Sequence, residues 1–294
     1  MTRIPDKRGD KAAAFAQRMN KVLDYIDQNL ADELSLEQLA GVAAFSPFHF
    51  HRLFRAWTGE TLHDFVRRCR LEKAGGQLEH NSAISIAAVA EQCGFNSSEA
   101  FSRAFAQHFG MPPSTWRKGG HKRWQSEARP QDGPIESTLP VTLRELPSQT
   151  VAYVRVFGDY GVSACEAWAQ LLPWIAEHGL QAQPRMGMAL DDPQIAPASH
   201  CRYDACVVLP AGWNGAPRMS RKLVSGGWYA CSEFAGPRDD IGAQWTRMMR
   251  EWLPTTGHAL GEPQFFEAYT PEQDPCAPQG THATLCMPVV LNRF

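Results

Sequence analysis

Two stretches in the first third of the chain repeat one pattern of residues. In each, a short apolar segment is followed by a turn and by a second segment with aromatic residues at helical spacing. The matching pairs, offset by 50 or 51 residues, are Leu36/Ile86, Leu39/Val89, Ala40/Ala90, Phe45/Phe95, Phe50/Phe101, Arg52/Arg103, Phe54/Phe105 and Gly59/Gly110. The pattern predicts an all-α domain with two helix-turn-helix units in tandem.

Residues at the expected helix ends support this prediction. Ser35 precedes the first apolar segment and is a favourable N-cap, and either Asn96 or Ser97 can cap the last helix of the second copy. Gly59 and Gly110 follow the aromatic segments, where a glycine commonly ends a helix.

The second helix of each copy, here called the recognition helix, has an apolar and a polar face. The residues expected in the core are Phe50, Leu53, Phe54 and Trp57 in the first copy and Phe101, Phe105 and Phe109 in the second. The residues left for the outer surface are Phe48, His49, His51, Arg52 and Arg55 in the first copy and Ser98, Glu99, Ser102 and Arg103 in the second. An ordinary helical bundle with solvated arginines is the alternative, and repetition in register favours the helix-turn-helix interpretation.

Charge is divided unevenly along the chain. Residues 1–130 contain 18 Lys and Arg against 14 Asp and Glu, whereas the remainder contains 11 against 17. The basic residues cluster near the recognition helices: Arg52, Arg55, Arg67, Arg68, Arg70 and Lys73 near the first, and Arg117, Lys118, Lys122 and Arg123 after the second. Such clusters attract phosphates and make affinity depend on salt.

The segment from about Leu34 to Lys118 resembles the DNA-binding domain of the AraC/XylS family of bacterial transcription regulators. The resemblance is densest in the second copy, from Ile86 through AEQCGF and FSRAFAQHFG to PPSTWRK. It implies that a linker helix, from Thr61 to about Leu78, spaces the two recognition helices. It also implies that these helices enter successive major-groove segments of promoter DNA, about one turn or 10 bp apart.

By the same resemblance, the outer residues of both recognition helices face base edges or phosphates. Arg52 and Arg103 stand at the matching position and are expected to contact a guanine or a phosphate. Glu99 either accepts a hydrogen bond from a cytosine amino group or caps its own helix. RNA polymerase is a further expected partner. A monomer and a dimer both remain open, because two recognition helices in one chain let a monomer cover a whole site.

The chain changes character after Lys118. A polar segment with several Gly and Pro residues predicts a linker over 119–138, between a DNA-binding domain at 1–118 and a second domain at 139–294. The second domain also repeats itself, with Ala152/Ala230, Gly158/Gly236, Trp174/Trp252 and Gly179/Gly257 offset by 78 residues and Trp168/Trp245 by 77. Each unit has the order β-α-β-β, which predicts an α+β domain with one antiparallel sheet and both helices on one face.

Near the end of the chain, the segments PQFFEAYTP and ATLCMPVV resemble the closing part of the gyrase-inhibitor-like (GyrI-like) ligand-binding domain. The order of the two domains is similar to that of the Rob branch of the AraC family. The resemblance implies that Glu267 faces a ligand cavity. On a strand, Phe265 and Tyr269 share its face, and a carboxylate flanked by aromatic rings suits a lipophilic cation. The further candidates for the walls of this site are Trp168, Trp245 and Tyr153.

Other classes of site find little support in the sequence. It contains no nucleophile elbow, P-loop, dinucleotide fingerprint or HExxH motif, so no catalytic residue is predicted and the chain is not expected to be an enzyme. The eight cysteines form no CxxC pair, and neither a metal nor a cofactor is expected. No segment resembles a signal peptide or a membrane span, which favours the cytoplasm and no membrane partner.

The sequence therefore predicts a sequence-specific DNA-binding transcription regulator whose C-terminal domain binds a small cationic or amphipathic effector. Two alternatives for that domain remain open. It can be a protein-interaction module, or a hydrolase-like domain in which Glu267 acts as general base on a small molecule.

Overall fold

The computed structural model describes residues 7–81, 83–121, 139–193, 195–215, 219–261, 264–277 and 280–291, with side chains from residue 13 onwards. The chain divides into two units, Met1–Asp132 and Gly133–Phe294. Most of the predicted linker, residues 122–138, lies outside the described residues, as do Lys122 and Arg123.

The N-terminal unit is helical throughout its described elements. Its helices are α1 (Lys7–Gln28), α2 (Leu36–Val42), α3 (Pro47–Thr58), α4 (Leu62–His80), α5 (Ile86–Gln92), α6 (Ser98–Phe109) and α7 (Pro113–Thr115), which continues into a π-helical turn at Trp116–Gly120. The pairs α2/α3 and α5/α6 are the two predicted helix-turn-helix units, and α4 is the predicted linker helix. The tandem all-α class is thus confirmed.

The helix ends follow the local sequence. Ser35 accepts a hydrogen bond from the main chain of α2, and Ser97 rather than Asn96 does so for α6. Gly59 and Gly110 end the recognition helices α3 and α6 in the left-handed conformation, with φ of 83° and 70°. Glycine is suited to both positions because a side chain disfavours positive φ.

Aromatic residues hold the recognition helices in the core. Phe50 and Phe54 of α3 and Phe101, Phe105 and Phe109 of α6 are buried, as the helical spacing predicts. Trp57 is only half-buried, and its ring meets Phe15 of α1 edge-on at 5.4 Å. Leu53 is likewise half-buried.

Two arginines that the sequence placed in a phosphate-binding cluster have structural roles instead. Arg68 is buried and pairs with Glu60 at 2.7 Å and Glu72 at 2.9 Å. Arg70 donates to three backbone carbonyl groups, those of Leu30, Asp32 and Gly94, at 2.8, 2.7 and 2.9 Å. The cluster was predicted from charge alone, and these intramolecular partners occupy the guanidinium groups.

The C-terminal unit is built on an antiparallel sheet. Its strands are β1 (Thr142–Leu146), β2 (Gln149–Phe157), β3 (Arg185–Ala189), β4 (Arg202–Val208), β5 (Ser220–Val224), β6 (Gly227–Gly236), β7 (Ala259–Leu260), β8 (Phe266–Tyr269) and β9 (Thr281–Val290). Its main helices are α8 (Tyr160–Glu177) and α9 (Ile241–Arg247), and α9 continues through a π-helical turn (Met248–Trp252) into α10 (Leu253–Thr256). The predicted units are therefore β2-α8-β3-β4 and β6-α9-β8-β9.

The sheet is symmetric about its centre. The strand order is β1-β6-β9-β8-β3-β4-β2-β5, and β7 also pairs with β9. Each unit receives an edge strand from the other half, because β1 pairs with β6 and β5 pairs with β2. The strand pairing relates the two units residue by residue. If Ala152 is matched with its repeat Ala230, Gly187 of β3 is equivalent to Glu267 of β8. These two residues are direct partners across the central seam, where β3 pairs with β8.

Both faces of the sheet carry a core. Trp168 and Leu171 of α8 and Met248 of the π-helical turn after α9 pack on one face with Ala152 and Ala230, so both helices cover the same face, as predicted. The opposite face buries a second cluster, formed by Val151, Tyr153, Met186, Met188, Cys206, Val224, Tyr229, Cys231, Phe266 and Cys286. We call these the helix face and the opposite face.

Candidate DNA-binding surface and effector site

The recognition helix α3 presents its polar residues to solvent. The predicted surface residues are all exposed, namely Phe48, His49, His51, Arg52 and Arg55. Phe48 is 71% exposed, which is unusual for a phenylalanine. His49 shares a hydrogen bond with Ser46, whose hydroxyl lies 3.1 Å from Nδ1.

The recognition helix α6 presents a matching surface. Glu99 and Arg103 are exposed, and Ser98 and Ser102 are half-buried. The side chain that caps this helix is Ser97, which weakens the interpretation of Glu99 as an N-cap, although Glu99 lies in the first turn. Arg103 follows the buried Phe101 by two positions, as Arg52 follows Phe50.

In the C-terminal unit, Glu267 lies at the centre of a buried polar cluster on the helix face. It is 4% exposed. Its Oε2 accepts from the phenol of Tyr269 at 2.6 Å and from the phenol of Tyr203 at 3.0 Å. The indole of Trp168 donates to the Tyr203 oxygen at 3.2 Å, and its ring meets that of Tyr269 edge-on at 5.8 Å.

The same cluster contains a cation, Arg238, which lies just after β6. Its Nη2 is 3.7 Å from Glu267 Oε2 and donates to Tyr203 Oη at 3.2 Å, and its Nη1 donates to Tyr269 Oη at 3.2 Å. Burial disfavours the charge on Arg238, but Tyr203 and Glu267 outweigh it and raise the pKa of the guanidinium. Glu267 is therefore charge-compensated inside the protein.

Burial and the Glu267 carboxylate both raise the pKa of Tyr203 well above its usual 10, and the same two causes raise the pKa of Tyr269. The phenols therefore keep their protons across the neutral range. Each can accept a hydrogen bond from a cation while donating to the carboxylate.

Gly187 leaves the space that the side chains of this cluster occupy. A Cβ at position 187 would overlap the Tyr203 phenol oxygen and lie 2.8 Å from Glu267 Oε2. Only a residue without a side chain fits beside the carboxylate, so Gly187 is part of the site although it contributes no chemical group.

The structure brings together most of the predicted effector-site residues. Phe265 and Trp245 are half-buried, pack on each other at 5.6 Å between ring centres and border the helix-face core. Tyr153 is the exception, since it lies on the opposite face. Side chains alternate along β2, so Tyr153 points away from the face that Ala152 shares with the Glu267 cluster.

Tyr203, Arg238 and Gly187 belong to this site but are not predicted from the sequence. The alternation of β4 could have indicated Tyr203, whose neighbours Ala205 and Val207 share its face. Arg238 lies in a loop and Gly187 has no side chain, so neither gave a signal.

The opposite face holds a different polar group and a cavity. Asp204 is fully buried and pairs with Arg155 through two bonds of 2.7 Å and with Lys222 at 2.5 Å. A cavity of about 180 Å³ is lined by residues that include Cys231 and Cys286, whose sulfur atoms are 3.8 Å apart.

The described residues contain no group of three or more His, Cys, Asp and Glu side chains arranged to hold a metal ion. No helix among them is both long and apolar enough to cross a membrane.

Comparison with known proteins matches two family models to the chain. One model, described as "Helix-turn-helix domain", matches residues 39–119. The other, described as "GyrI-like small molecule binding domain", matches residues 139–290, about half of the chain. The EcmrR C-terminal domain is a structural neighbour with 14% identity and a TM-score of 0.41, covering 52% of this chain and 99% of that one.

Curated relatives match about a third of the chain. The probable transcriptional regulator LumQ of Photobacterium leiognathi is 37% identical over 103 residues, which are 34% of this chain and 41% of LumQ. The multiple antibiotic resistance protein MarA of Escherichia coli is 30% identical over 99 residues, which are 34% of this chain and 77% of MarA. The chain thus belongs to the AraC family of transcription regulators and carries a GyrI-like small molecule binding domain after its helix-turn-helix domain.

Proposed function

We propose that this chain binds promoter DNA at a specific sequence and that its C-terminal domain binds a small cationic or amphipathic effector. The observation that carries the proposal is the pair of recognition helices, each with an exposed arginine at the matching position. The names of the relatives, LumQ and MarA, are those of a probable transcriptional regulator and an antibiotic-resistance protein. RNA polymerase is the further partner that such a regulator requires. We place the activity of the regulator in the cytoplasm.

The arrangement of α3 and α6 supports readout by two helices. Arg52 and Arg103 are exposed, and the aromatic residues behind them are buried, so each helix is held by its core while its outer face stays available. An arginine in the major groove can bind a guanine with two hydrogen bonds. We therefore assign base contacts to these two arginines, with the neighbouring surface residues on bases or phosphates.

The effector site is proposed around Glu267. A buried carboxylate beside Trp168, Tyr203 and Tyr269 attracts a cation by charge and by cation–π contact, and burial strengthens both. An effector changes promoter activity only if it binds one arrangement of the protein better than another.

Replacing Arg52 by alanine is expected to weaken binding to the selected DNA site by about 1 to 3 kcal/mol, because a bidentate base contact is lost. The site is first selected from a random DNA pool with the wild-type protein, and affinity is then titrated at fixed salt. Arg247→Ala, which removes the same charge from the C-terminal unit, is the matched control. Unchanged affinity for Arg52→Ala would remove this residue from the readout.

Replacing Glu267 by glutamine is expected to weaken binding of tetraphenylphosphonium by about tenfold or more, since the amide keeps the shape of the carboxylate but not its charge. Binding is followed by quenching of tryptophan fluorescence. Glu233→Gln, which changes an exposed carboxylate of β6, is the control and should bind as the wild type does. Equal affinity of the Glu267→Gln variant and the wild type would place the cation elsewhere.

A further inference from the structure

Arg238 occupies the position that a cation beside Glu267 would need. Its guanidinium carbon lies 5.5 Å from the centre of the Tyr203 ring, and its Nη1 also donates to the carbonyl of Pro275 at 2.6 Å. With the contacts to Glu267 and to both phenols, one side chain supplies a positive charge, several hydrogen-bond donors and a flat face. A ligand cation and the Arg238 guanidinium cannot hold this position together.

The position of Arg238 also allows its side chain to move away from Glu267. Its side chain is 13% exposed, compared with 5% for Glu267, so it is the member of the pair closer to solvent. It begins a short 3₁₀ segment, Arg238–Asp240, in which no residue is buried, and the next two residues are exposed aspartates. Rotation of the side chain toward these carboxylates would free the position without unpacking the hydrophobic core.

The groups that Arg238 contacts define the ligand that can replace it. The buried carboxylate must receive a new positive charge, because an unpaired buried charge is costly. The Tyr269 oxygen must receive a new donor, the Tyr203 oxygen can accept one beside the Trp168 indole, and the Tyr203 ring favours a flat cation. An aromatic amidinium or guanidinium meets all three requirements. A quaternary ammonium supplies the positive charge and suits the Tyr203 ring in part, but it does not donate to the phenols. A neutral amide supplies no charge.

We propose that Arg238 is an internal competitor for the effector site, and that the effector is a flat amidinium-like or guanidinium-like cation that displaces it from Glu267. This inference rests on the proposed effector function. It adds that the resting site is self-occupied, so the affinity measured for the wild type is lower than the affinity of the vacated site.

The experiment compares benzamidine with its neutral analogue benzamide on the full-length wild type, Arg238→Ala, Arg238→Lys and the control Arg247→Ala. We expect benzamidine to bind Arg238→Ala about tenfold more tightly than the wild type, because competition by the guanidinium is removed. Arg238→Lys, which keeps the charge without the flat fork of donors, should be intermediate. Benzamide should bind none of them, and Arg247→Ala should match the wild type.

A second measurement covers the case in which Arg238→Ala is unstable. Methylguanidine at low concentration should raise the unfolding temperature of Arg238→Ala and leave that of Arg238→Ala/Glu267→Gln unchanged, because only the former has a vacant cation position beside a carboxylate. No rescue, or equal affinity of benzamidine for the wild type and Arg238→Ala, would overturn the competitor role. If the competitor role fails but the proposed effector function holds, the wild type still binds tetraphenylphosphonium, and Glu267→Gln weakens that binding. If Glu267→Gln does not weaken it either, both the competitor role and the effector site at Glu267 are ruled out.

Discussion

Replacing Asp204 by alanine is expected to lower the free energy of unfolding of the C-terminal domain by about 3 to 5 kcal/mol. The carboxylate, on β4, is fully buried and is bonded to Arg155 of β2 and Lys222 of β5. Its removal takes away the carboxylate that two buried cations on the opposite face share. Tyr153 lies beneath both, with Arg155 Cζ at 5.2 Å and Lys222 Nζ at 4.9 Å from the ring centre, but a ring cannot replace a full charge.

The measurement is urea unfolding of the full-length protein, with hydrogen exchange of the β2 and β4 amides to assign the transition to the C-terminal domain. Glu233→Ala is the control, because that carboxylate is exposed and should change stability by less than about 0.5 kcal/mol. A loss below about 1 kcal/mol for Asp204→Ala would show that Arg155 and Lys222 find solvent when the carboxylate is absent.

The same triad makes a pH prediction for the wild type. Burial alone would raise the pKa of Asp204, but Arg155 and Lys222 outweigh burial and lower it from 3.8 to about 2. Because the folded-state pKa is depressed, this stabilisation is complete above about pH 4 and is lost as the pH falls through about 2. It amounts to roughly 2 kcal/mol. Asp204→Asn should lack this dependence.

Replacing Trp116 by alanine is expected to lower the free energy of unfolding of the N-terminal domain by about 3 to 5 kcal/mol. The indole is fully buried and packs on Phe109 at 4.4 Å and Phe105 at 5.7 Å between ring centres. It also donates to the carbonyl of Gly75, in the C-terminal half of α4, at 3.0 Å. Trp116 therefore joins the second recognition helix to the linker helix.

The Trp116→Ala prediction can be checked by urea unfolding with hydrogen exchange of the α4 and α6 amides. Trp116→Phe keeps the ring packing but loses the indole donor, so it should be intermediate. Phe48→Ala removes an aromatic ring of the recognition surface that is 71% exposed, and should change stability by less than about 0.5 kcal/mol. Equal stability of Trp116→Ala and the wild type would contradict the role of the indole as the link to α4.

Local signals in the sequence predict most of the helical domain. The spacing of Phe50 and Phe54 on α3, repeated on α6, and the glycines that follow are sufficient to place both recognition helices. Contacts between distant segments could not be foreseen. Arg68 and Arg70 looked like phosphate ligands because a sequence shows a charge but not its partner 8 or 40 residues away.

In the effector domain, too, local patterns predict the secondary-structure elements but not the contacts between distant segments. The repeat predicts the β-α-β-β units, and strand alternation places Tyr269 beside Glu267. The exchange of β1 and β5 between the units depends on long-range pairing, which leaves no local pattern. Tyr203 and Arg238 meet Glu267 from separate segments, 64 and 29 residues away, so only the folded chain reveals that the carboxylate already has a cation.

The pairing of Gly187 with Glu267 shows what joining two similar units in one chain makes possible. If two identical chains met across this seam, their dyad would place the same residue on both strands. The site would then contain either two facing carboxylates, which repel each other, or two glycines and no charge. With both units in one polypeptide, one copy can supply empty space and the other a single negative charge. An asymmetric ligand can then be bound in one orientation at the centre of a nearly symmetric domain.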